Sequence, residues 1–489
     1  MTVQASDKIW HGQISAFLSL ILVLVISFLM ALFQSSMIQV SRSRARMISE
    51  MSVNSLFGEY CTDLLEEYDI FAIDMSYSSG EGSESKVLSH YKNYLSYQMD
   101  MQKGLYTGST AVRWDGMPEE TEITVLELLT DDGGRPCREQ VSNYMKEKLG
   151  IGAAEDLISS AEPAEEIERA EEEHDTYKLR NEEEMISLVE QKEQSGIEVD
   201  PETEEMNPVD DVEKMQKSPL MELLLEHPEE VSQKRLRDGE LVSKRSLLKG
   251  YGEIKEGSKR QQNIDDLLFR EYLLNMLGHY GNDAQPDTKQ ILYETEYIIS
   301  GGTSDLDNLE AVSRKLLAMR EAVNFGYLIT DTGKQAEAEA MAVALAGYFG
   351  IPPLVTGVKW ALLLAWAYGE SILDLRTLLA GGKIPAVKTA ETWELKLEEL
   401  ASLSGEGFRM RHDRNTGVGY DTFLRLLLLL GSETDQTYRF MDIAEQRIQN
   451  IQENPGFRMD TCAAGMTISN TWIFSRGIQS AFPVSYRYQ

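Results

Sequence analysis

The pair of residues best spaced for chemistry is Glu370 with Asp374, four positions apart in an apolar run that continues to Arg376. On a helix this spacing puts two carboxylates on one face, where a shared pocket can split their pKa values into an acid and a base. Hydrolysis of a glycan or cell-wall polymer uses such a pair. The competing and preferred reading is a structural network, in which Lys359, Arg376 or backbone donors satisfy both carboxylates. Two weaker constellations read as helix starts. Asp331, Thr332 and Gly333 spell the triplet of an aspartic-protease strand, but that chemistry takes two aspartates and this triplet leads into the alanine-rich KQAEAEAMAVALAG, so a capping role is expected. Asp305, Asp307, Asn308 and Glu310 follow Gly301 and Gly302 like a calcium loop, yet the glycine and twelfth-position glutamate of an EF-hand are missing, and capping is again expected.

No phosphate-binding glycine loop, HExxH, CxxC or GxSxG is present, and the six histidines form no i,i+4 pair. No catalytic residue, metal ligand or cofactor is therefore assigned. Cys61, Cys137 and Cys462 are too few for a disulfide framework or a four-ligand zinc site and read as free buried thiols. A formal net charge of −33 argues against phosphate backbones, so no nucleic-acid partner is expected. The acidity is local: Glu155 to Glu230 holds 27 acids against 6 basic residues.

The elements that must position these residues begin with a membrane anchor. ISAFLSLILVLVISFLMALF, Ile14 to Phe33, carries no charge, and its length at ~1.5 Å per residue matches a hydrocarbon core of roughly 30 Å. Ile14, Phe17, Leu20, Leu24, Phe28 and Phe33 are its candidate lipid-facing residues, which makes the bilayer a partner. No A-x-A-like cleavage site follows, so the anchor is expected to be retained. Beyond it Met47, Met51, Val53, Leu56, Phe57, Tyr60 and Leu64 recur mostly at helical spacing and predict an amphipathic stem. Orientation stays open on these residues. Lys8 precedes the anchor while Arg42, Arg44 and Arg46 follow it, which favours an inside C-terminus, yet long acidic domains are translocated and the arginines lie where they could meet lipid headgroups.

The chain divides into a short N-terminal segment at 1–13, the anchor at 14–33, the stem at 34–67 and a first α+β lobe at 68–152. An acidic, largely disordered or loosely helical insertion at 153–262, a helix-rich lobe at 263–456 and C-terminal strands at 457–489 complete it. YDIFAID, Tyr68 to Asp74, reads as the first strand and ILYETEYIIS from Ile291 as strand-like. Leu354 to Tyr368 is apolar but interrupted by Lys359 and shorter than a span, so it reads as a buried helix rather than a second membrane pass. In GMTISNTWIF the residues Met466, Ile468, Asn470, Trp472 and Phe474 share one strand face, and VSYRYQ suggests a last strand. Pairing of the last strands with the first would close one sheet from distant pieces. The expected fold class is α+β: one N-terminal transmembrane helix running into an amphipathic stem, and a helix-rich head with a small, mainly antiparallel sheet.

Several phrases, in order, carry a family resemblance: GQISAFLSLILVLVISFLMAL from Gly12, LFGEYCTDLLEEYDIFAID ending at Asp74, LYETEYIISGGTSDLDNL from Leu292, AWAYGESILDLRTLLAGGKIPAVKT from Ala365 and YDTFLRLLLLL from Tyr420. Through them the chain resembles an uncharacterised family of membrane-anchored, pilin-like proteins of Gram-positive bacteria, similar to the TadE/TadG-like minor components of Tad-type pili and type II secretion-like systems. The resemblance implies an N-terminus inside, a head outside the cytoplasmic membrane, and pilus or secretion-apparatus proteins as partners. It carries over no catalytic residue. Counted from Gly12 as the residue before a leader cut, the fifth position is Phe17 where a type IV prepilin has glutamate. The function expected is a non-enzymatic, extracytoplasmic accessory or assembly protein, with homo-oligomer formation left open. The rival is an anchored cell-wall or glycan hydrolase using Glu370 and Asp374.

Overall fold

A computed structural model describes residues 4–104, 116–149, 174, 176–178, 208–237, 239, 241–252, 259–282, 290–346, 352–402, 417–451 and 454–488. They fall into two compact units, Met1–Asp131 with Leu247–Glu256 and Gln452–Gln489, and Asp132–Ser246 with Gly257–Ile451. The fold class is α+β, helix-rich with one small antiparallel sheet.

Unit 1 is built on helix α1, Gln4–Phe57. Over Ile14–Phe33 it exposes apolar side chains on every face, and from Ala45 the inward residues Ala45, Ile48, Val53, Leu56 and Phe57 are buried, so the anchor continues into the stem without a break. A short helix α2, Thr62–Tyr68, strand β1, Ile73–Asp74, helix α3, Glu84–Gly104, and strand β2, Met117–Leu128, follow. Strands β3, Cys462–Phe474, and β4, Ile478–Arg487, complete the unit. β3 is the central strand: β2 runs along one edge, β4 and the short β1 along the other, all antiparallel. Met466, Ile468, Asn470, Trp472 and Phe474 are all buried, as strand alternation predicts, among side chains of α1 and α3. The C-terminal strands are thus the middle of the sheet that the N-terminal stem covers.

The run 247–252 lies along β2. Leu126 and Tyr251 exchange backbone hydrogen bonds of 2.8 Å, and the Asp131 carboxylate accepts from Leu128 N at 2.7 Å and Gly250 N at 3.0 Å. A Cβ at Gly250 would collide with that carboxylate and with Leu126 O, so the approach requires glycine.

Unit 2 contains helices α4 (Asp131–Leu149, entered through the kink at Asp132–Gly134), α5 (Pro208–Lys217), α6 (Leu220–Leu224), α7 (Lys259–Met276), α8 (Glu294–Ser300), α9 (Asp305–Thr330) and α10 (Thr332–Ala346). Helices α11 (Pro352–Leu379), α12 (Tyr420–Leu430) and α13 (Glu433–Gln449) follow. α11 is the spine against which α9, α10, α5 and α6 pack. Leu362, Leu363, Trp366 and Ile372 of α11 are fully buried, as expected for a core helix.

Three sequence expectations change. Of YDIFAID only Ile73–Asp74 is strand, because Leu64 and Tyr68 turn a buried helical face inward and Asp69 ends α2 in the left-handed region at φ 56°. ILYETEYIIS is not a strand: 294–300 form α8, capped by Gly301 at φ 71°. All of Glu294–Ile299 is buried, so no exposed face reveals the helical period. Within the acidic stretch 153–262, residues in 208–237 and 241–252 are packed rather than loose, burying Leu220, Met221, Leu224, Val231, Leu241 and Val242. Net charge summed over a window conceals apolar residues that face inward. Residues 153–173, 175, 179–207, 238, 240 and 253–258 of the same expected insertion lie outside the described residues.

Candidate functional site

α11 delivers Glu370 and Asp374 to one interior face, one helical turn apart, as their spacing requires. Asp374 Oδ2 accepts from Arg320 Nε at 3.0 Å, Arg320 Nη2 at 2.9 Å and Asn324 Nδ2 at 3.1 Å, while Oδ1 lies 2.7 Å from Lys388 Nζ. Glu370 Oε1 lies 2.5 Å from the same ammonium, and its two oxygens also accept from the backbone N–H groups of Glu394 and Leu395. Arg320 completes its donors on Ala386 O at 2.7 Å and on Asn324. Two anions and two cations thus make a neutral tetrad. Its side chains are 0% to 3% exposed.

Electrostatics separate the two carboxyls. Burial pushes both up; for Asp374, Arg320 and Lys388 outweigh it and hold the carboxyl below the usual range. For Glu370 burial prevails over Lys388, and the adjacent Asp374 adds to the rise. A split pair is what acid–base chemistry uses, but every carboxylate oxygen here already faces a protein donor in a closed interior.

Arg376 stands apart from the cluster. Its Nε donates to Leu223 O at 2.6 Å, because a residue two positions past Asp374 points to the far side of the helix. Lys359 likewise pairs with Glu339 at 3.0 Å instead. The partners missed in the sequence are Arg320, Asn324 and Lys388. One signal was present: Arg320 and Asn324 repeat on α9 the i,i+4 spacing of Glu370 and Asp374 on α11. Lys388 comes from a non-helical segment and carried none.

The weaker constellations resolve as local structure. Asp331 Oδ1 accepts from Gly333 N at 2.8 Å and Lys334 N at 3.0 Å, capping α10. Ser304 caps α9 by accepting from Asp307 N at 3.1 Å. Asp305 is instead buried and ties Ser232 Oγ, Leu292 N and Tyr293 N together. Among the described residues no group of three or more His, Cys, Asp or Glu gathers as a metal centre, and Cys61, Cys137 and Cys462 are free thiols, the last two buried.

Two further features of unit 2 bear on binding. A cleft of ≈ 440 Å³ is lined by His174, Lys315, Glu321, Met319 and Leu427. Glu296 on α8 is fully buried; its Oε1 accepts from Tyr420 Oη and Tyr280 N, both at 2.9 Å, its Oε2 has no hydrogen-bond partner among the described residues, and burial raises its pKa.

The other functional element is α1. Ile14, Phe17, Leu20, Leu24, Phe28 and Phe33 are all exposed, and Ile14–Phe57 is long and apolar enough to cross a membrane by length and composition, with a mean hydropathy of 2.9 in its most apolar window. The molecule is therefore an α+β protein whose sheet is packed on the continuation of an N-terminal helix suited to a single membrane pass. Residues 198–473 match the model of DUF5702, a family of unknown function, and the chain belongs to that family. No curated protein and no solved structure matches the chain.

Proposed function

We propose that the protein is a non-enzymatic, membrane-anchored accessory or assembly component of a pilus-like or type II secretion-like apparatus, TadE/TadG-like, in a Gram-positive bacterium. The supporting observation is the construction of α1: one helix, apolar all round over Ile14–Phe33, then clothed by a β-sheet from Ala45 to Phe57. A helix shared by bilayer and head transmits position rather than chemistry, and suits a subunit that presents a surface to envelope partners or to further copies of itself. In this reading the N-terminus is inside and the head extracytoplasmic. The hydrolase reading gains no support from the geometry, because Glu370 and Asp374 face Arg320, Lys388 and backbone donors.

Protease treatment of intact and permeabilised protoplasts tests the topology. Cleavage between Glu155 and Glu230 in intact protoplasts is the expected result; protection until permeabilisation places the head in the cytoplasm and removes the reading. Crosslinking in the envelope is expected to capture pilus or secretion subunits, and a chain recovered only as an uncrosslinked monomer counts against it.

A further inference from the structure

The acidic chain leaves arginines without carboxylate partners at one end of unit 1. Arg135, Arg245, Arg314, Arg320, Arg425, Arg458 and Arg487 each form an ion pair with an acid. Arg42, Arg46 and Arg476 form none among the described residues. Arg46 lies 5.9 Å above the Phe482 ring, Arg42 Nε is sequestered without an acceptor, and Arg476 is exposed. Arg42 and Arg46 share a face of α1 at i,i+4.

The packing of β4 on α1 fixes the height of Arg476 along the helix. Phe57 touches Tyr486 and Tyr488, with ring centroids 4.4 Å and 5.1 Å away, and Arg46 touches Phe482. Moving from Phe57 to Arg46, ~16 Å at ~1.5 Å per residue, thus matches moving from Tyr486 to Phe482, ~13 Å at ~3.3 Å per residue. Another four strand residues bring Ile478 and the turn Ser475–Gly477 level with about residue 37 of α1 by the same rises. Gln34, Met37 and Ile38 are partly covered in agreement, immediately after the exposed anchor ends at Phe33. β2 starts at this level as well: Met117 pairs with Ile473 and is 70% exposed. The turn itself carries Arg476 at φ 66°, in the left-handed region where a hairpin ordinarily places glycine or asparagine. Among the described residues the acids nearest this level are Glu119, which accepts from Gln479 Nε2 at 2.8 Å, and Glu120, with Glu122 next along β2 and Glu50 one turn past Arg46 on α1.

We propose that this end of unit 1 is a foot that rests on anionic phospholipid headgroups through Arg476 and Arg42, with Met117 entering the interface. With Ile14–Phe33 across the hydrocarbon, ~30 Å thick, the turn Ser475–Gly477 lies ~6 Å beyond it, in the headgroup layer, and Arg42, ~14 Å beyond, leans back toward that layer as helical side chains point to the N-terminus. Lipid phosphate supplies the countercharge that neither arginine finds among the described residues. The foot also gives the basic residues after the anchor a role that does not depend on which leaflet they meet. It rests on the anchor, and not on the pilus-like reading.

The test uses the full chain in nanodiscs of phosphatidylcholine, with or without phosphatidylglycerol. Ser475→Cys, in a Cys61→Ser background, carries a bimane label, and a headgroup spin-labelled lipid serves as quencher. Quenching is expected to be stronger with phosphatidylglycerol, and the gain to weaken as salt rises. Arg42→Gln/Arg476→Gln is expected to abolish the gain and the two Lys replacements to keep it, each arginine shifting the docked-to-undocked ratio roughly fivefold. Equal quenching of the wild type in both lipids, or an undiminished gain in the Gln variant, overturns the proposal. If the double Gln variant fails to fold, Arg476→Gln alone, on the exposed turn, decides. Both leaflets of a disc are alike, so the outcome is independent of cellular topology.

Discussion

The two units bury polar groups in opposite ways. In unit 2 the core holds four ions, Glu370, Asp374, Arg320 and Lys388, whose charges cancel. In unit 1 the core beneath the sheet holds only neutral polarity: Asn470 donates to Tyr91 Oη and, at 3.2 Å, to Ser49 Oγ, Trp472 Nε1 donates to Ser49, and Thr121 Oγ1 donates to Asn470 at 3.0 Å. Its ionised clusters each keep a partly exposed member: Glu59 accepts from Tyr77, Tyr94 and His90, Asp460 pairs with Arg458, and Glu127 pairs with Arg487. Desolvating a charge costs several kcal/mol and desolvating an amide far less, so the ionic core has more to lose from any missing partner. That asymmetry favours one arrangement of α9, α11 and the 384–395 segment over all others, without adding much net stability.

Breaking the ionic core gives the largest expected effect. Lys388→Ala strands Glu370 and unbalances Asp374, and is expected to cost ~3–5 kcal/mol in urea unfolding of unit 2. A loss under about 1 kcal/mol would mean that water reaches the site and that the contrast between the units is not real. Removing both charges sharpens the point: Glu370→Gln with Lys388→Met is expected to recover at least about 1 kcal/mol relative to Lys388→Ala, since no buried ion is left alone beside them. In unit 1, Asn470→Leu should cost ~1–3 kcal/mol by stranding the polar atoms of Tyr91 and Ser49. A cost as large as that of Lys388→Ala would erase the distinction between charged and neutral burial.

The smallest effect is expected at Glu59. Burial opposes its ionisation, but the hydrogen bonds from Tyr94, His90 and Tyr77 prevail and lower its pKa from 4.5. A lowered carboxyl stabilises the fold above its unfolded pKa and loses that contribution as pH falls through the folded value. Solvent screening keeps the gain below about 1 kcal/mol, so Glu59→Gln should differ from wild type in thermal melts at pH 6 and match it at pH 3. A persistent difference at pH 3 would assign the role to packing of the Tyr77 and His90 rings, 4.1 Å apart, rather than to charge.

Periodicity governed what was readable. The anchor and the alternating face of β3 stand where their apolar spacing puts them, because each keeps one pattern of environment along its length. α8 escaped because a seven-residue helix buried on all sides shows no period, and the packed segments within 208–237 and 241–252 escaped because their apolar residues are diluted among acids. At the polar cluster, the i,i+4 spacing located Glu370 and Asp374 but not the cations that face them.

The sequence by itself therefore determined the local facts: a helix apolar enough to span a bilayer, a strand with one buried face, and two carboxylates on one side of a helix. These follow from residue type and a repeat of two or 3.6, which any short window contains. Only the tertiary structure decided that β3 lies between β1 and β2, that Lys388 and Arg320 close the carboxylate pair against solvent, and that Arg476 returns to the level of about residue 37 in α1. Those outcomes depend on contacts between residues tens to hundreds of positions apart, whose pairing is set by packing and charge compensation in the whole fold and leaves no period in the chain.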